Sequence, residues 1–188
     1  MQIRPLEPRD AEPMMEWMHD PEAAGLLAAP FAEKTREDCL AFIAAAGRPG
    51  PDRHRAIADE NGEYMGTVSL KQIDPGRGTA EFAIATRREA WGRGYGAFTM
   101  REALRAAFGE EGLTSVYWYV NRENRRAIRF YEKQGFTPLS APPAGAPAKE
   151  AGDPRMIWFE AKAPRGEDED PRTGQLGEPA ARGEGVHG

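Results

Sequence analysis

The amino-acid sequence predicts one α/β (α+β) domain in which helices flank a mixed, mostly antiparallel central sheet. Its 188 residues suit a single domain of ordinary size with a substantial core. The composition is typical of a globular protein, with 40% hydrophobic and 29% charged residues. Strand-like and helix-like hydrophobic periods follow one another in the order β-α-α-β-β-β-α-β-α-β. That order indicates helices packed on one mixed sheet.

The N-terminal third predicts a short strand followed by two helices. Residues 3–6 form the strand, and Asp10 is placed to cap a helix that ends at Asp20-Pro21. Thr35 begins the second helix, and Asp38 three positions later gives a capping-box pattern. The apolar stripes of the two helices, at helical spacing, are Ala11, Met14, Met15 and Met18, then Cys39, Phe42, Ile43 and Ala46.

The middle of the chain predicts three strands. Residues 53–58 and 64–73 form a hairpin around Asn61-Gly62, since Asn-Gly between strand-like runs is a strong hairpin signal. Residues 79–86 form the third strand. Its alternation places Phe82 and Ile84 on one face and leaves Glu81 on the other with two alanines.

The remaining elements are two helices, each followed by a strand. We predict helices over about 95–110 and 124–134, the second ending at Gly135, and strands over 115–120 and 156–161. Residues 139–154 are rich in Ala, Pro and Gly and are predicted to be a loop. We place the folded domain at residues 1–162. Residues 163–188 are acidic, rich in Gly and Pro and poor in apolar residues, and are predicted to be disordered.

Charge and composition exclude several classes of protein. The net charge is −5, whereas nucleic-acid binders usually have a basic balance. No apolar run is long enough to span a membrane, and the N-terminus lacks a signal-peptide pattern. Cys39 is the only cysteine, and the three histidines show no metal-ligand spacing. We therefore expect a cytoplasmic protein that binds neither metal, nor membrane, nor nucleic acid.

A glycine-rich turn is the first candidate ligand site. Gly92-Arg93-Gly94-Tyr95-Gly96 stands between a predicted strand and a predicted helix. Alternating glycines let the backbone turn tightly, and the first N–H groups of a helix attract an anion such as a phosphate. By itself the pattern is equally consistent with a tight connection that binds nothing.

Two known phosphate motifs fit this turn poorly. The P-loop fails because Gly-Lys-Ser/Thr does not follow. The dinucleotide fingerprint is met only in its relaxed form, with Ala97 at its third position, and a hairpin and two helices precede it where a parallel βαβ unit belongs. A nucleotide-binding domain therefore stays as the weakest of three alternatives.

A second motif favours another ligand. The predicted helix after Glu123 carries Asn, Ala, Tyr and Gly-Phe at a spacing that resembles the late helix of the GNAT acetyltransferase superfamily, at Asn124, Ala127, Tyr131, Gly135 and Phe136. The glycine turn is similar to that family's acyl-CoA pyrophosphate loop, with Gly94 and Gly96 in register. The resemblance covers roughly residues 2–162. It departs from the family at Trp91, where the loop usually has Gln or Arg.

The resemblance implies an acyl-CoA N-acyltransferase fold with acetyl-CoA as co-substrate. Backbone groups of Ile84, Ala85 and Thr86 are expected to meet the acetyl group and the pantetheine arm. The other expected cofactor contacts are Gly92, Arg93, Gly94, Tyr95, Gly96, Ala97 and Asn124. Some of the arginines from Arg122 to Arg129 could reach the 3′-phosphate, although a solvated helix face is the alternative.

Two residues are candidates for the chemistry of direct amine attack. Tyr131 is the candidate general acid, because it shares one helical face with Asn124 and Ala127 and a phenol can protonate a departing thiolate. The alternative is a core aromatic. Glu81 is the candidate general base, directly or through water. The alternatives are an exposed carboxylate and a structural ion pair.

The acceptor is expected to be a primary amine. We predict a small-molecule amine, namely a polyamine or an aminosugar, or a protein N-terminus, and leave a homodimer open. A non-catalytic acyl-CoA-binding or regulatory module on the same fold is the main alternative, and Trp91 gives it some support.

Overall fold

The computed structural model describes residues 1–25, 27 and 30–164 and has one six-stranded sheet. The strands lie side by side in sequence order from β1 to β6. Neighbours are antiparallel except β4 and β5, which are parallel because a helix connects them. The strands are β1 Gln2–Arg4, β2 Arg53–Ala58, β3 Tyr64–Asp74, β4 Thr79–Thr86, β5 Ser115–Asn121 and β6 Met156–Lys162.

Helices cover both faces of this sheet. They are α1 Ala11–Met18, α2 Pro21–Ala24, α3 Arg36–Ala46, α4 Tyr95–Arg105, α5 Arg125–Lys133 and α6 Ala148–Ala151. One core cluster lies between the sheet and α1–α3, around Met14, Trp17 and Cys39. The other lies between the sheet and α4 and α5, around Phe82, Trp118 and Tyr131. β4 contributes to both clusters, since Phe82 faces one and Ala85 packs against the other.

The predicted fold class is confirmed. Every predicted strand is present, with its ends within two residues of the predicted ones, and each predicted long helix is also present. The predicted helix over 95–110 becomes α4 followed by a wider turn, Ala106–Glu110. The predicted loop over 139–154 contains the one-turn helix α6. The predicted disorder concerns residues 163–188, of which 165–188 lie outside the described residues, and it stays a prediction.

One expectation near the N-terminus was wrong. The Asp10 carboxylate does not cap α1. It is buried and bonded to Arg4, with Nη1 to Oδ2 at 2.8 Å and Nη2 to Oδ1 at 2.7 Å. Asp20-Pro21 follows the end of α1 as predicted, and Asp20 also caps α2 by accepting from Glu22 N. Pro21 then occupies a first-turn position that needs no N–H donor.

Candidate active site

The parallel strands β4 and β5 separate halfway along their length. Their ladder pairs Thr79 with Ser115, then Ala80 with Val116, and ends at Glu81 with Tyr117. β4 continues to Thr86, while its other edge stays paired with β3 up to Gly66. From Phe82 onward the edge of β4 that faces β5 therefore carries backbone groups without ladder partners among the described residues. A ligand with an amide chain can bind such an edge as a further strand would.

A cavity of about 890 Å³ occupies this gap and connects the two faces of the sheet. On one side it is lined by residues of α1 and α3, including Met14, Trp17 and Phe42. On the other side it reaches the glycine-rich turn and α5. The predicted site residues that line it are Glu81, Ile84, Ala85, Thr86, Gly92, Gly94, Gly96, Ala97, Asn124 and Tyr131. The structure thus brings together most of the predicted site.

The glycine loop, residues 92–96, leads directly into α4. Gly92 and Gly94 have φ of +69° and +86°, a left-handed conformation that glycine adopts without strain. Gly94 is the N-cap of α4, so the unpaired N–H groups of the first helical turn begin at this loop. Gly96 has a different role, since a Cβ there would lie 3.2 Å from the Phe130 ring of α5. The loop therefore has the geometry of an anion-binding helix N-terminus.

The side chains of two predicted loop contacts point elsewhere. Tyr95 is 2% exposed and belongs to the core, and Arg93 stacks over its ring with a guanidinium-to-centroid distance of 5.7 Å. Neither lines the cavity. For Tyr95 and Arg93, only a backbone contact remains available. The earlier arginines are engaged as well: Arg87 pairs with Glu16 and Arg88 with Asp20.

Arg126 of α5 reaches the glycine loop. Its guanidinium carbon lies 3.1 Å from the centroid of the Trp91 ring, as in a cation–π pair. Both residues line the cavity beside Gly92 and Gly94. Partial burial lowers the pKa of Arg126, with no carboxylate in contact among the described residues. A cation held this way is suited to binding an anion.

Helix α5 presents the predicted face to the cavity. Asn124, Ala127 and Tyr131 all line it, as their spacing predicts. Asn124 is the N-cap of α5, and its Oδ1 accepts from Ala127 N at 3.1 Å. The amide oxygen is thus occupied by the helix end. Among the described residues the amide NH2 group has no hydrogen-bond partner, so it is available to a ligand or a water molecule.

The Tyr131 side chain is 5% exposed and packs among Trp118, Phe130 and Phe159. Its hydroxyl has no hydrogen-bond partner among the described residues, and the side chain lines the cavity. Burial raises the pKa of Tyr131 well above its usual value near 10. The phenol therefore stays protonated throughout the neutral and moderately alkaline range, as a proton donor must.

Glu81 is buried, with 3% of its side chain exposed, at the point where β4 and β5 separate. Lys71 of β3 forms an ion pair with its Oε1. Gln72 Nε2 lies 3.4 Å from Oε2, and Gln72 has a φ of +51° in a β-bulge. The exposed-carboxylate alternative is thereby wrong. Glu81 is a paired carboxylate that also contacts the bulged residue Gln72.

Sequence reasoning missed the residues that surround the candidates. Lys71 faces Glu81 in the register of β3 and β4, so the hairpin pattern could have identified it. The bulge at Gln72 left no sequence signal that we recognise. Arg126 was considered only within a cluster of arginines, and its position depends on how α5 packs against the glycine loop.

Separated strands, a glycine loop at a helix N-terminus and a tyrosine-bearing helix together define an acyl-CoA-dependent acyltransferase site. The family model described as an acetyltransferase (GNAT) domain matches residues 1–137. The chain belongs to this family. The predicted enzyme class, an N-acetyltransferase with acetyl-CoA as co-substrate, is confirmed.

Several relatives are spermidine acetyltransferases. The spermidine N(1)-acetyltransferase of Escherichia coli (strain K12) is 26% identical over 147 residues, which cover 73% of each chain. That of Vibrio cholerae is 31% identical over 85 residues, covering 45% of this chain and 49% of the enzyme. The crystal structure of the Vibrio cholerae enzyme with CoA and spermine has a TM-score of 0.67 at 19% identity, over 85% of this chain and 92% of that one. This likeness supports the fold.

The described part of the chain has no helix that is long and apolar enough to cross a membrane. It also has no cluster of three or more His, Cys, Asp or Glu side chains arranged to hold a metal ion.

Proposed function

We propose that the chain transfers the acetyl group of acetyl-CoA to the primary amine of a small molecule by direct attack. The observation that carries this proposal is the separation of β4 from β5 between the glycine loop and the Glu81 carboxylate. The cavity in this gap runs continuously from the glycine loop, which is suited to an anion, to Glu81 and Tyr131, the proposed base and acid. An amine on one face of the sheet meets a thioester held in the gap.

Acetyl-CoA would bind along the glycine loop and the open edge of β4. The pyrophosphate is bound by the glycine loop, where the N-terminus of α4 supplies N–H groups and positive dipole. Arg126 supplies the side-chain contact that a Gln or Arg at position 91 would make, with Trp91 holding its guanidinium. The pantetheine amides bind the open edge of β4 at Ile84, Ala85 and Thr86. Asn124 contributes its amide NH2 group.

Glu81 takes the proton that the acceptor must lose. A lysine-like amine with a pKa of about 10.4 enters as an ammonium ion and attacks only when deprotonated. The carboxylate accepts this proton directly or through a water molecule and returns it to solvent. Lys71 forms an ion pair with the carboxylate and fixes its position for this step.

Tyr131 completes the transfer. The amine nitrogen bonds to the carbonyl carbon, and the carbon–sulfur bond breaks. The leaving thiolate takes the phenolic proton, and Tyr131 regains one from the nitrogen that has become an amide. The products are an N-acetylated amine and the free CoA thiol.

A panel of primary amines tests the reaction. Polyamines belong in it because relatives of this chain are spermidine acetyltransferases, and aminosugars and peptide N-termini represent the other acceptors. The expected result is release of CoA thiol with a subset of the small molecules. Binding of acetyl-CoA without thiol release for any amine would favour a non-catalytic acyl-CoA-binding module. A thermal shift with NAD or ATP in place of acetyl-CoA would favour a nucleotide site.

A further inference from the structure

The acceptor side of the cavity is built from apolar side chains. Its wall is formed by Met14, Trp17 and Met18 of α1, with Cys39 and Phe42 of α3. Trp17 meets the Phe31 ring edge-to-face with centroids 5.0 Å apart. Phe42 meets the His54 ring at 4.8 Å. Walls of this kind gain free energy by covering apolar and aromatic surface.

The carboxylates that line the cavity are mostly engaged already. Glu81 is paired with Lys71. Asp38 accepts from Thr35 N at 2.9 Å in the capping box of α3. Glu150 is the remaining carboxylate among the described lining residues.

The four fixed cations of the described lining outnumber its three carboxylates. They are Lys34, Lys71, Arg126 and Lys133, and burial lowers the pKa of His54, which therefore adds no charge at neutral pH. A polyamine such as spermidine keeps two ammonium groups after its reacting amine is deprotonated. These groups would meet one uncommitted carboxylate, which is too little to replace their hydration.

We infer that the acceptor is a primary monoamine on an apolar, ring-sized body, of the 2-arylethylamine class. This inference rests on the proposed function, because the amine must reach Glu81 and the thioester. Its body packs among Met14, Trp17 and Phe42. Its single cationic group lies toward the polar floor of Glu81, Ser69 and His54, of which the last two are hydrogen-bonded at 2.7 Å.

Steady-state kinetics with purified full-length protein and acetyl-CoA test the inference. The amines are 2-phenylethylamine, spermidine, glucosamine and straight-chain alkylamines of increasing length. We expect kcat/KM for 2-phenylethylamine to exceed that for spermidine at least tenfold. We also expect about a threefold to fourfold rise per methylene along the alkylamine series, as for burial of one CH2 group.

Substitutions at Phe42 locate the effect. Phe42→Ala is expected to lower kcat/KM for 2-phenylethylamine about tenfold, through loss of buried apolar contact. Phe42→Glu adds a carboxylate to the wall and is expected to shift the preference toward spermidine. Leu40→Ala is the matched control, since Leu40 is a partly buried residue of the same helix that does not line the cavity.

The outcomes are distinguishable. A preference for spermidine, or a flat alkylamine series, overturns the inference and leaves the proposed function intact. Absence of thiol release with every amine, while acetyl-CoA still binds, overturns the proposed function itself. Equal effects of Phe42→Ala and Leu40→Ala would also overturn the inference, because they would show a loss of α3 packing in place of a substrate contact.

Discussion

The Tyr131 hydroxyl, the proposed general acid, has no hydrogen-bond partner among the described residues, although its side chain is part of the core. Tyr131→Phe removes the proton and keeps the ring, so stability should change little. We expect turnover to fall about 100-fold or more, as for loss of a general acid, with acetyl-CoA affinity nearly unchanged. Single-turnover kinetics and acetyl-CoA titration measure the two effects separately.

Tyr95→Phe is the control for this variant, because Tyr95 is equally buried but does not line the cavity.

The raised pKa of Tyr131 also predicts how kcat depends on pH. The protonated phenol is present below that pKa, so deprotonation of Tyr131 should not limit kcat below about pH 10. Full activity in Tyr131→Phe would remove this residue from the mechanism.

Glu81→Gln separates a base from a structural ion pair. If Glu81 is the base, the Glu81→Gln variant should show a large loss of kcat and an altered pH–rate profile. Because Glu81 is half of a partly buried ion pair with Lys71, the substitution should also lower the free energy of unfolding by about 1–3 kcal/mol, measured by denaturant unfolding. Lys71→Gln is the comparison: a similar loss of stability in both variants, with both pH profiles unchanged, would assign Glu81 to structure alone.

Arg126 should contribute to cofactor affinity and not to the chemical step. Arg126→Ala removes a charged donor that lies beside the glycine loop. We therefore expect KM for acetyl-CoA to rise about tenfold with kcat nearly constant. The effect should shrink as ionic strength increases. Arg125→Ala is the matched control, since the neighbouring Arg125 does not line the cavity. Equal KM values in the two variants would contradict the proposed contact.

At the scale of elements, the connection from β4 to α4 is set by backbone conformation. Gly94 has a φ of +86°, and an L side chain there costs about 1–2 kcal/mol or moves the helix start. Gly94→Ala should therefore lower both thermal stability and acetyl-CoA affinity. Gly109→Ala is the control, because Gly109 has an ordinary φ and a Cβ there meets no atom within 4 Å. A thermal melt with and without acetyl-CoA checks both.

The separation of β4 and β5 is likewise a property of elements. Pairing ends at Glu81, and residues of α5, the glycine loop, α1 and α3 line the space beyond it. The bulge at Gln72 lies in the neighbouring β3 and reaches Glu81 with its amide. Lys71 and Gln72 of β3 thus hold the carboxylate where the two strands separate.

At the scale of the whole molecule, β6 is the last strand of the sheet and pairs with β5 along its entire length. The last described bond of this edge is Ala163 N to Thr114 O at 2.9 Å. We predict that a chain ending at Pro164 keeps the full melting temperature and kcat. A chain ending before Met156 should fail to fold, because β5 and its buried Trp118 lose their neighbour. Circular dichroism and the amine assay compare the three forms.

The sequence by itself determined the elements and the residues of the cofactor motif. Hydrophobic period and capping residues act locally, so the strands, α3 with its Thr35–Asp38 box, and the face shared by Asn124 and Tyr131 could be predicted. Tertiary structure decided what depends on distant contacts. The separation of β4 from β5 and the stacking of Arg126 on Trp91 each depend on segments far apart in the chain. No local pattern specifies such distances, because they arise only when helices pack on a completed sheet.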